Sequence, residues 1–186
     1  MIDPATLHRR AASGFGTLVH GITDDQWARP TPCGDWDVRA LVAHVVDEQL
    51  WTAPLLKGGT IAEVTPAIPA DPLGADPAKA WDTSVHDAVE GVGHTDLAAI
   101  VHLSFGDFPA EEYVMQLFAD MLVHGWDLAR ATGQVEHLDN ELVTECTTWF
   151  DKNEEAYRGA GVFGDALPVP ATADPQTRLL ARFGRA

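Results

Sequence analysis

The chain has 186 residues, a length that suits one domain better than two. Hydrophobic residues make up 46% of the sequence and charged residues 22%, which is typical of a globular protein and excludes a disordered one. The 12 basic and 28 acidic side chains give a net charge of -16, which repels nucleic acid and anionic lipid surfaces. We therefore expect neither nucleic acid nor a membrane as a partner.

The N-terminal residues and the two cysteines indicate the compartment. Met1-Ile2-Asp3-Pro4 is not a basic segment followed by an apolar one, and no run approaches the ~18 apolar residues of a membrane span. Cys33 and Cys146 lie far apart and outside any CxxC motif, so neither a disulfide framework nor a thiolate zinc site is indicated. We expect a cytoplasmic protein with reduced thiols.

The spacing of apolar residues predicts four principal helices in the first two thirds of the chain. Each begins near an aspartate or a proline, and a glycine-rich and proline-rich segment over 57–75 predicts a long surface crossover between the second and the third helix. Residues 100–105 fit either a short strand or an extended loop. The predicted helices run from Asp3-Pro4 to about Ile22, from Asp35 or Asp37 to about Leu56, from Asp76-Pro77 to near Gly91, and from Pro109 to Gly133.

Two further helices are predicted after the fourth. Asp139 can cap a helix that runs through Phe150, and Asp174-Pro175 begins another that contains Leu179 and Phe183. The pattern predicts an all-α fold, a four-helix bundle with a long crossover connection and extra C-terminal helices. We expect a single domain over residues 1–186, with the core bundle over about 3–133 and a C-terminal extension over about 134–186.

Asp120 and His124 are the first candidate metal ligands. They are four residues apart on the fourth predicted helix, so they share one face and can chelate a single ion. By spacing alone, an ion pair on the helix surface is the commoner arrangement. The apolar neighbours Leu117, Met121 and Leu128 favour an inward position, where a carboxylate needs a partner.

His44 is the third candidate, in the most apolar stretch of the second predicted helix. A single buried histidine is more often structural than a ligand. If the second and fourth helices face each other, however, His44 meets Asp120 and His124, and two imidazoles with one carboxylate suit zinc or another divalent transition metal. If His44 lies elsewhere, the bundle is metal-free. A closed structural site would need a fourth ligand, for which Glu48 is the obvious candidate.

These residues also carry a resemblance to a known family. The resemblance lies in three segments. The first runs from Thr31 to His44 and begins Thr-Pro-Cys-Gly-Asp-Trp-Asp, the second is Asp120-x-x-x-His124-Gly125-Trp126-Asp127, and the third is the closing stretch 179–185. Together they resemble the actinobacterial branch of the DinB/YfiT-like metal-binding superfamily, which is related to the N-terminal domain of mycothiol-dependent maleylpyruvate isomerase. The resemblance implies a DinB-like four-helix bundle with a metal held by His44, Asp120 and His124.

The resemblance also implies a function. The chain is similar to metal-dependent enzymes that activate a low-molecular-weight thiol, so we expect a mycothiol-type S-transferase or isomerase with a small-molecule substrate. Zinc is the expected metal, with nickel or manganese as alternatives, and mycothiol is the expected cosubstrate. A homodimer is also expected by resemblance. Two departures concern the reaction, since Asp120 stands where the isomerase has a glutamate and no second domain follows the bundle.

A non-catalytic metal-binding or ligand-binding module, serving for instance a stress response, is the alternative function. The two differ in whether the metal keeps an exchangeable position facing a pocket or whether Glu48 fills it. Whether the protein is an enzyme therefore stays open at this stage.

Three further positions have two interpretations each. Asp127 either orients a metal ligand or pairs with Arg130 or Arg39. Cys33 lies where a helix dipole could lower a thiol pKa, but a small buried side chain is the favoured interpretation. His102 and Ser104 either line the mouth of a pocket or are simply exposed.

Overall fold

The computed structural model describes residues 2–159 and 165–185. Helices dominate these residues, as predicted, and one antiparallel two-stranded hairpin accompanies them. A 3-10 turn over Thr65–Ala67 follows the shortest helix. The helices are α1 (Pro4–His20), α2 (Val38–Leu56), α3 (Ile61–Val64), α4 (Pro77–His94), α5 (Ala110–Thr132), α6 (Asn140–Gly159) and α7 (Pro175–Arg182), and the strands are β1 (Ile100–Leu103) and β2 (Gly106–Pro109).

Aspartates cap helices at the positions that the sequence predicts. The carboxylates of Asp3, Asp37, Asp76 and Asp174 each accept a hydrogen bond from the backbone N–H three residues later. These bonds satisfy donors that the first turn of a helix leaves without a partner. At the start of α2, the cap is Asp37 and not Asp35.

The predicted crossover over 57–75 contains a short helix that the sequence analysis did not predict. Thr60 and Glu63 form a capping box in which each side chain accepts a hydrogen bond from the other residue's backbone N–H, and α3 begins after Thr60. A helix of one turn leaves no periodic signal, so its composition alone indicated a loop.

The segment 100–105 is resolved as a strand and a turn. Strand β1 pairs with β2, with Ile100 opposite Pro109 and Leu103 opposite Gly106. Helix α4 also continues past Gly91 to His94. Gly91 does not end the helix; a Cβ there would lie 3.0 Å from the Cβ of Ala53, so the glycine allows α4 to approach α2 closely.

The core bundle consists of α1, α2, α4 and α5. Helices α1 and α2 each pack against both α4 and α5. The three apolar residues that favoured an inward position on the fourth helix, now α5, are buried: Leu117, Met121 and Leu128. The facing of α2 and α5 is the arrangement that the candidate metal site requires.

The chain divides into two compact units. One unit is Asp3–Val135, and the other contains the described residues from Glu136 onward together with Ile2. In the second unit α6 packs against α7, with the rings of Phe150 and Phe183 stacked 4.4 Å apart. The predicted single domain over residues 1–186 stays a prediction. None of the described helices has the length and apolar character of a membrane span.

Candidate metal centre

Helices α2 and α5 bring His44, Asp120 and His124 together; these residues are called the triad below. His44 lies in the middle of α2, and Asp120 and His124 lie one turn apart on α5. One donor atom from each residue lies within 4.8 Å of the other two. The triad lies at the edge of the apolar core, because the side chains of His44 and Asp120 are 28% and 29% exposed and that of His124 is 10% exposed.

The spacing within the triad fits a shared ion. Nε2 of His44 lies 3.3 Å from each carboxylate oxygen of Asp120, and Nε2 of His124 lies 3.3 Å from Oδ1. Charge-assisted N–H···O bonds are shorter, about 2.7–2.9 Å. Atoms bound at about 2.0–2.1 Å to one tetrahedral ion lie about 3.3–3.4 Å apart. Oδ2 of Asp120 is also buried without a hydrogen bond among the described residues, so this donor set fits a divalent metal.

The charges of the triad are mutually dependent. Burial alone would raise the pKa of the Asp120 carboxyl, but the charge of His124 and the contacts with both imidazoles outweigh burial and hold that pKa well below its usual range. Burial alone would lower the pKa of His124, but the Asp120 carboxylate raises it to about 9. The pKa of His44 is raised by Asp120 in the same way, against the effect of burial. Asp120 is therefore ionised, and a metal must displace a proton from the histidines.

Asp127 fixes the orientation of the His124 ring. Its side chain is fully buried, and Oδ2 lies 3.0 Å from Nδ1 of His124. Because a carboxylate only accepts, Nδ1 carries the proton and Nε2 is directed at Asp120. The structure therefore favours the first of the two interpretations of Asp127. Arg39, one of the two arginines considered as partners, forms an ion pair with Asp71 instead.

Trp36 and Cys33 come to the site from the loop before α2. The Trp36 ring centroid lies 4.9 Å from that of His44 and 5.7 Å from that of His124. The donor atoms of Cys33, His124 and Asp127 also lie within 4.8 Å of one another. Trp36 was not among the predicted site residues, although its place in the Thr31–His44 segment was the available signal. Cys33 is half-buried at the edge of the site and not deep in the core.

Glu48 does not join the triad. Among the described residues, the groups of possible ligands that include His44 or Asp120 do not include Glu48. Burial raises the pKa of Glu48 to about 7, and the nearby Asp120 carboxylate adds to the effect. Glu48 lines a cavity of about 270 Å³ together with Tyr113 and Gln116.

The position of this cavity follows from helical periodicity. Glu48, Trp51 and Leu55 come 4, 7 and 11 residues after His44, and so lie on the same face of α2. On α5, Gln116 and Tyr113 come 4 and 7 residues before Asp120. The two faces that hold the triad therefore continue directly into the walls of the cavity.

The hairpin closes one side of the cavity. Ser104 lines the cavity, whereas His102 points to Asp107, with Nδ1 2.8 Å from Oδ1. Of these two candidates for the pocket mouth, the structure thus favours Ser104. A larger cleft, of about 590 Å³, lies between α2 and α4 and is lined by Gln49 and Ala53, on a different face of α2 from His44.

Comparisons with known proteins agree with this architecture. A family model described as the mycothiol maleylpyruvate isomerase N-terminal domain matches residues 8–129. Uncharacterized proteins from two strains of Mycobacterium tuberculosis are each 33% identical to the chain over 196 residues, covering 99% of this chain and 98% of the relative.

Solved structures with a similar fold are also known. A crystal structure of mycothiol-dependent maleylpyruvate isomerase has a TM-score of 0.60 at 15% identity, and that of a mutant of this isomerase has 0.61 at 14%. Each comparison covers 77% of this chain and 70% of the isomerase chain. The likeness is one of fold.

Proposed function

Because the chain belongs to the mycothiol maleylpyruvate isomerase N-terminal domain family, we propose that it is a divalent-metal-dependent enzyme that activates a low-molecular-weight thiol. Mycothiol is the proposed thiol, and S-transfer or isomerisation of a small molecule is the proposed reaction. Zinc is the proposed metal, since two imidazoles and a carboxylate suit it, with nickel and manganese as alternatives.

The triad is the observation that supports this proposal. The triad lies at the edge of the core, and the side chains of His44 and Asp120 are partly exposed, so a metal there would be reached from outside the bundle. A bound divalent ion would supply the positive charge that lowers the pKa of a thiol and so provides a nucleophile at neutral pH.

The surrounding residues give the site its shape. Asp127 holds the His124 ring by its Nδ1–H, so that Nε2 points outward to the metal position. Trp36 lies against both imidazoles and limits access from the side of the loop before α2. Water and substrate would therefore approach from the remaining open side.

The non-catalytic alternative requires a closed coordination sphere. Glu48 is the side chain that could close it from α2, but it lines the neighbouring cavity and lies outside the triad. Three protein ligands beside a cavity are typical of catalytic metal sites, whereas structural sites carry four. This arrangement supports an enzyme and not the non-catalytic metal-binding module.

Metal content tests the first part of the proposal. We expect about one equivalent of zinc per chain in dialysed, untagged protein, and its loss in His44→Ala and His124→Ala. His94→Ala is the matched control, because His94 is an exposed histidine on α4. If protein reconstituted with zinc, nickel or manganese retains none of them, the proposed metal site is wrong.

Thiol transfer tests the second part. Zinc-loaded protein should accelerate the reaction of mycothiol with the electrophile monobromobimane, and neither metal-free protein nor zinc-treated His124→Ala should do so. Equal rates with and without metal-loaded protein would favour the non-catalytic module. The predicted homodimer stays a prediction and is not needed for either test.

A further inference from the structure

The cavity beside the triad is built from two kinds of surface. Trp51 and Phe105 contribute aromatic rings, and aliphatic side chains from α2, α3 and β1 complete the apolar part. The polar part consists of Glu48, Tyr113 and Gln116 on the two helices. An apolar cavity with a few converging polar groups is the usual form of a small-molecule site.

The Tyr113 hydroxyl is the polar group of interest. Tyr113 is 4% exposed, and its hydroxyl oxygen is buried without a hydrogen bond among the described residues. The neighbouring Thr52 hydroxyl donates to the backbone carbonyl of Glu48 at 2.8 Å and could only accept from Tyr113, but no hydrogen bond of normal geometry joins the two hydroxyls. A buried hydroxyl without a partner is costly, and a ligand that accepts its proton would remove that cost.

The charge of the lining limits the ligand. The cavity lining includes no lysine, arginine or histidine among the described residues, and its one carboxyl group is that of Glu48. The protein as a whole carries a net charge of -16. An anionic ligand would find no cationic side chain in the lining itself and would face Glu48, which keeps part of its negative charge at neutral pH, so the lining favours an uncharged molecule.

We propose that this cavity is the substrate side of the site and takes a small, uncharged molecule, with an apolar body between Trp51 and Phe105 and a carbonyl-type acceptor that receives the Tyr113 hydroxyl proton. The proposal rests on the proposed function in one respect, namely that the triad is the reactive end of the cavity. The volume of about 270 Å³ is below the usual ~300–1,000 Å³ of pockets for drug-sized ligands and suits a single ring with a short substituent.

Binding of two matched probes tests the proposal. Para-fluoroacetophenone and para-fluorobenzoate have the same ring, but one carries a neutral carbonyl and the other a carboxylate. Fluorine NMR titration of the full chain, with and without zinc, gives a dissociation constant for each probe. We expect the ketone to bind more tightly than the benzoate to metal-free protein.

Tyr113→Phe should weaken ketone binding by roughly three- to tenfold, because it removes one neutral hydrogen bond and leaves the ring. Tyr157→Phe, at the only other tyrosine of the sequence, is the matched control and should leave binding unchanged. Benzoate binding as tight as that of the ketone, an unchanged dissociation constant in Tyr113→Phe, or no ketone binding would each overturn the proposal.

The two proposals fail separately. Ketone binding that depends on Tyr113 in protein without thiol-transfer activity would sustain the cavity and reject the proposed function. Thiol transfer in protein that does not bind the ketone would do the reverse. Circular dichroism of each variant shows that it remains folded.

Discussion

Asp127 is a buried carboxylate that acts on the site through His124. Its Oδ2 accepts the Nδ1 proton at 3.0 Å and so determines which nitrogen is offered to a metal. Asp127→Ala should weaken zinc binding by about 10–100-fold, the usual effect of removing such a partner. Competition with a chromophoric zinc chelator measures the change.

Asp127→Asn is the matched control for that substitution. Its amide oxygen can still accept the Nδ1 proton, so we expect a smaller loss of affinity than in Asp127→Ala. Affinity equal to wild type in Asp127→Ala, in protein whose circular dichroism is unchanged, would contradict a role in orientation.

His8 is a second buried titratable residue, far from the triad in sequence. It lies on α1 with both ring nitrogens buried and without a hydrogen bond among the described residues. Burial lowers its pKa to about 4, although the Gln49 side chain partly opposes the shift. The folded protein therefore keeps His8 neutral at pH values where the unfolded chain protonates it.

The lowered pKa of His8 determines how the free energy of unfolding changes with pH. The lowered pKa means that the full stability is present above the unfolded value of about 6.5 and is lost as pH falls towards 4. Between about pH 7 and 5, wild type should lose about 2 kcal/mol more unfolding free energy than His8→Gln, which cannot titrate. Urea denaturation at both pH values measures this. Parallel losses in the two proteins would show that His8 is not the titrating group.

At the scale of elements, substitutions at two glycines allow the effect of backbone conformation on stability to be measured apart from that of packing. Gly133 ends α5 with a φ of 71°, in the left-handed region, whereas Gly14 lies inside the exposed face of α1. A Cβ at either position would meet no atom within 4 Å. Substitution by alanine therefore changes backbone preference and little else.

The two substitutions should have opposite effects on stability. Gly133→Ala should cost about 1 kcal/mol, because an L-residue is disfavoured in the left-handed region. Gly14→Ala should gain about 0.5–1 kcal/mol, because alanine favours the helix interior. Urea denaturation of both variants measures the two changes in stability. A loss of stability in Gly14→Ala would contradict the finding that a Cβ at this position of α1 meets no neighbouring atom.

The helices could be predicted because their signals are local. Asp3, Asp37 and Asp76 cap helices within three residues, and the apolar spacing of α5 extends over six turns. Helix α3 and strand β2 were not predicted, because each has four residues, too few to give a periodic signal. Packing on α2 and α5 stabilises the hairpin, and that packing leaves no periodic signal.

In the candidate site, too, the features with a local signal could be predicted and those that depend on packing could not. The face shared by Asp120 and His124 follows from their spacing, and the apolar stretch around His44 made this residue the third candidate. Whether His44 meets the other two depends on how α2 and α5 pack, which spacing does not give; the resemblance implied the same three residues. The cavity could not be predicted, because it needs the α2 and α5 faces and the hairpin turn at Phe105 together. The contact of Trp36 with both imidazoles likewise depends on how the loop before α2 folds back, which its sequence alone does not determine.

At the scale of the whole molecule, the net charge of -16 should strengthen metal binding at low salt. The triad is partly exposed, so the field of the acidic surface reaches an approaching cation. The Debye length falls from about 30 Å at 0.01 M salt to a few ångströms near 1 M, and this screens all but the nearest charges.

Zinc affinity should therefore fall by on the order of tenfold between about 0.01 M and 0.5 M sodium nitrate, after correction for the chelator's own salt dependence. Glu111→Gln provides the control, because this exposed residue at the start of α5 lies about 14 Å along the helix axis from Asp120. It should weaken zinc binding slightly at low salt and not at high salt. If affinity is independent of salt, the triad alone determines metal binding, and the acidic surface has another role, such as keeping the chain monodisperse.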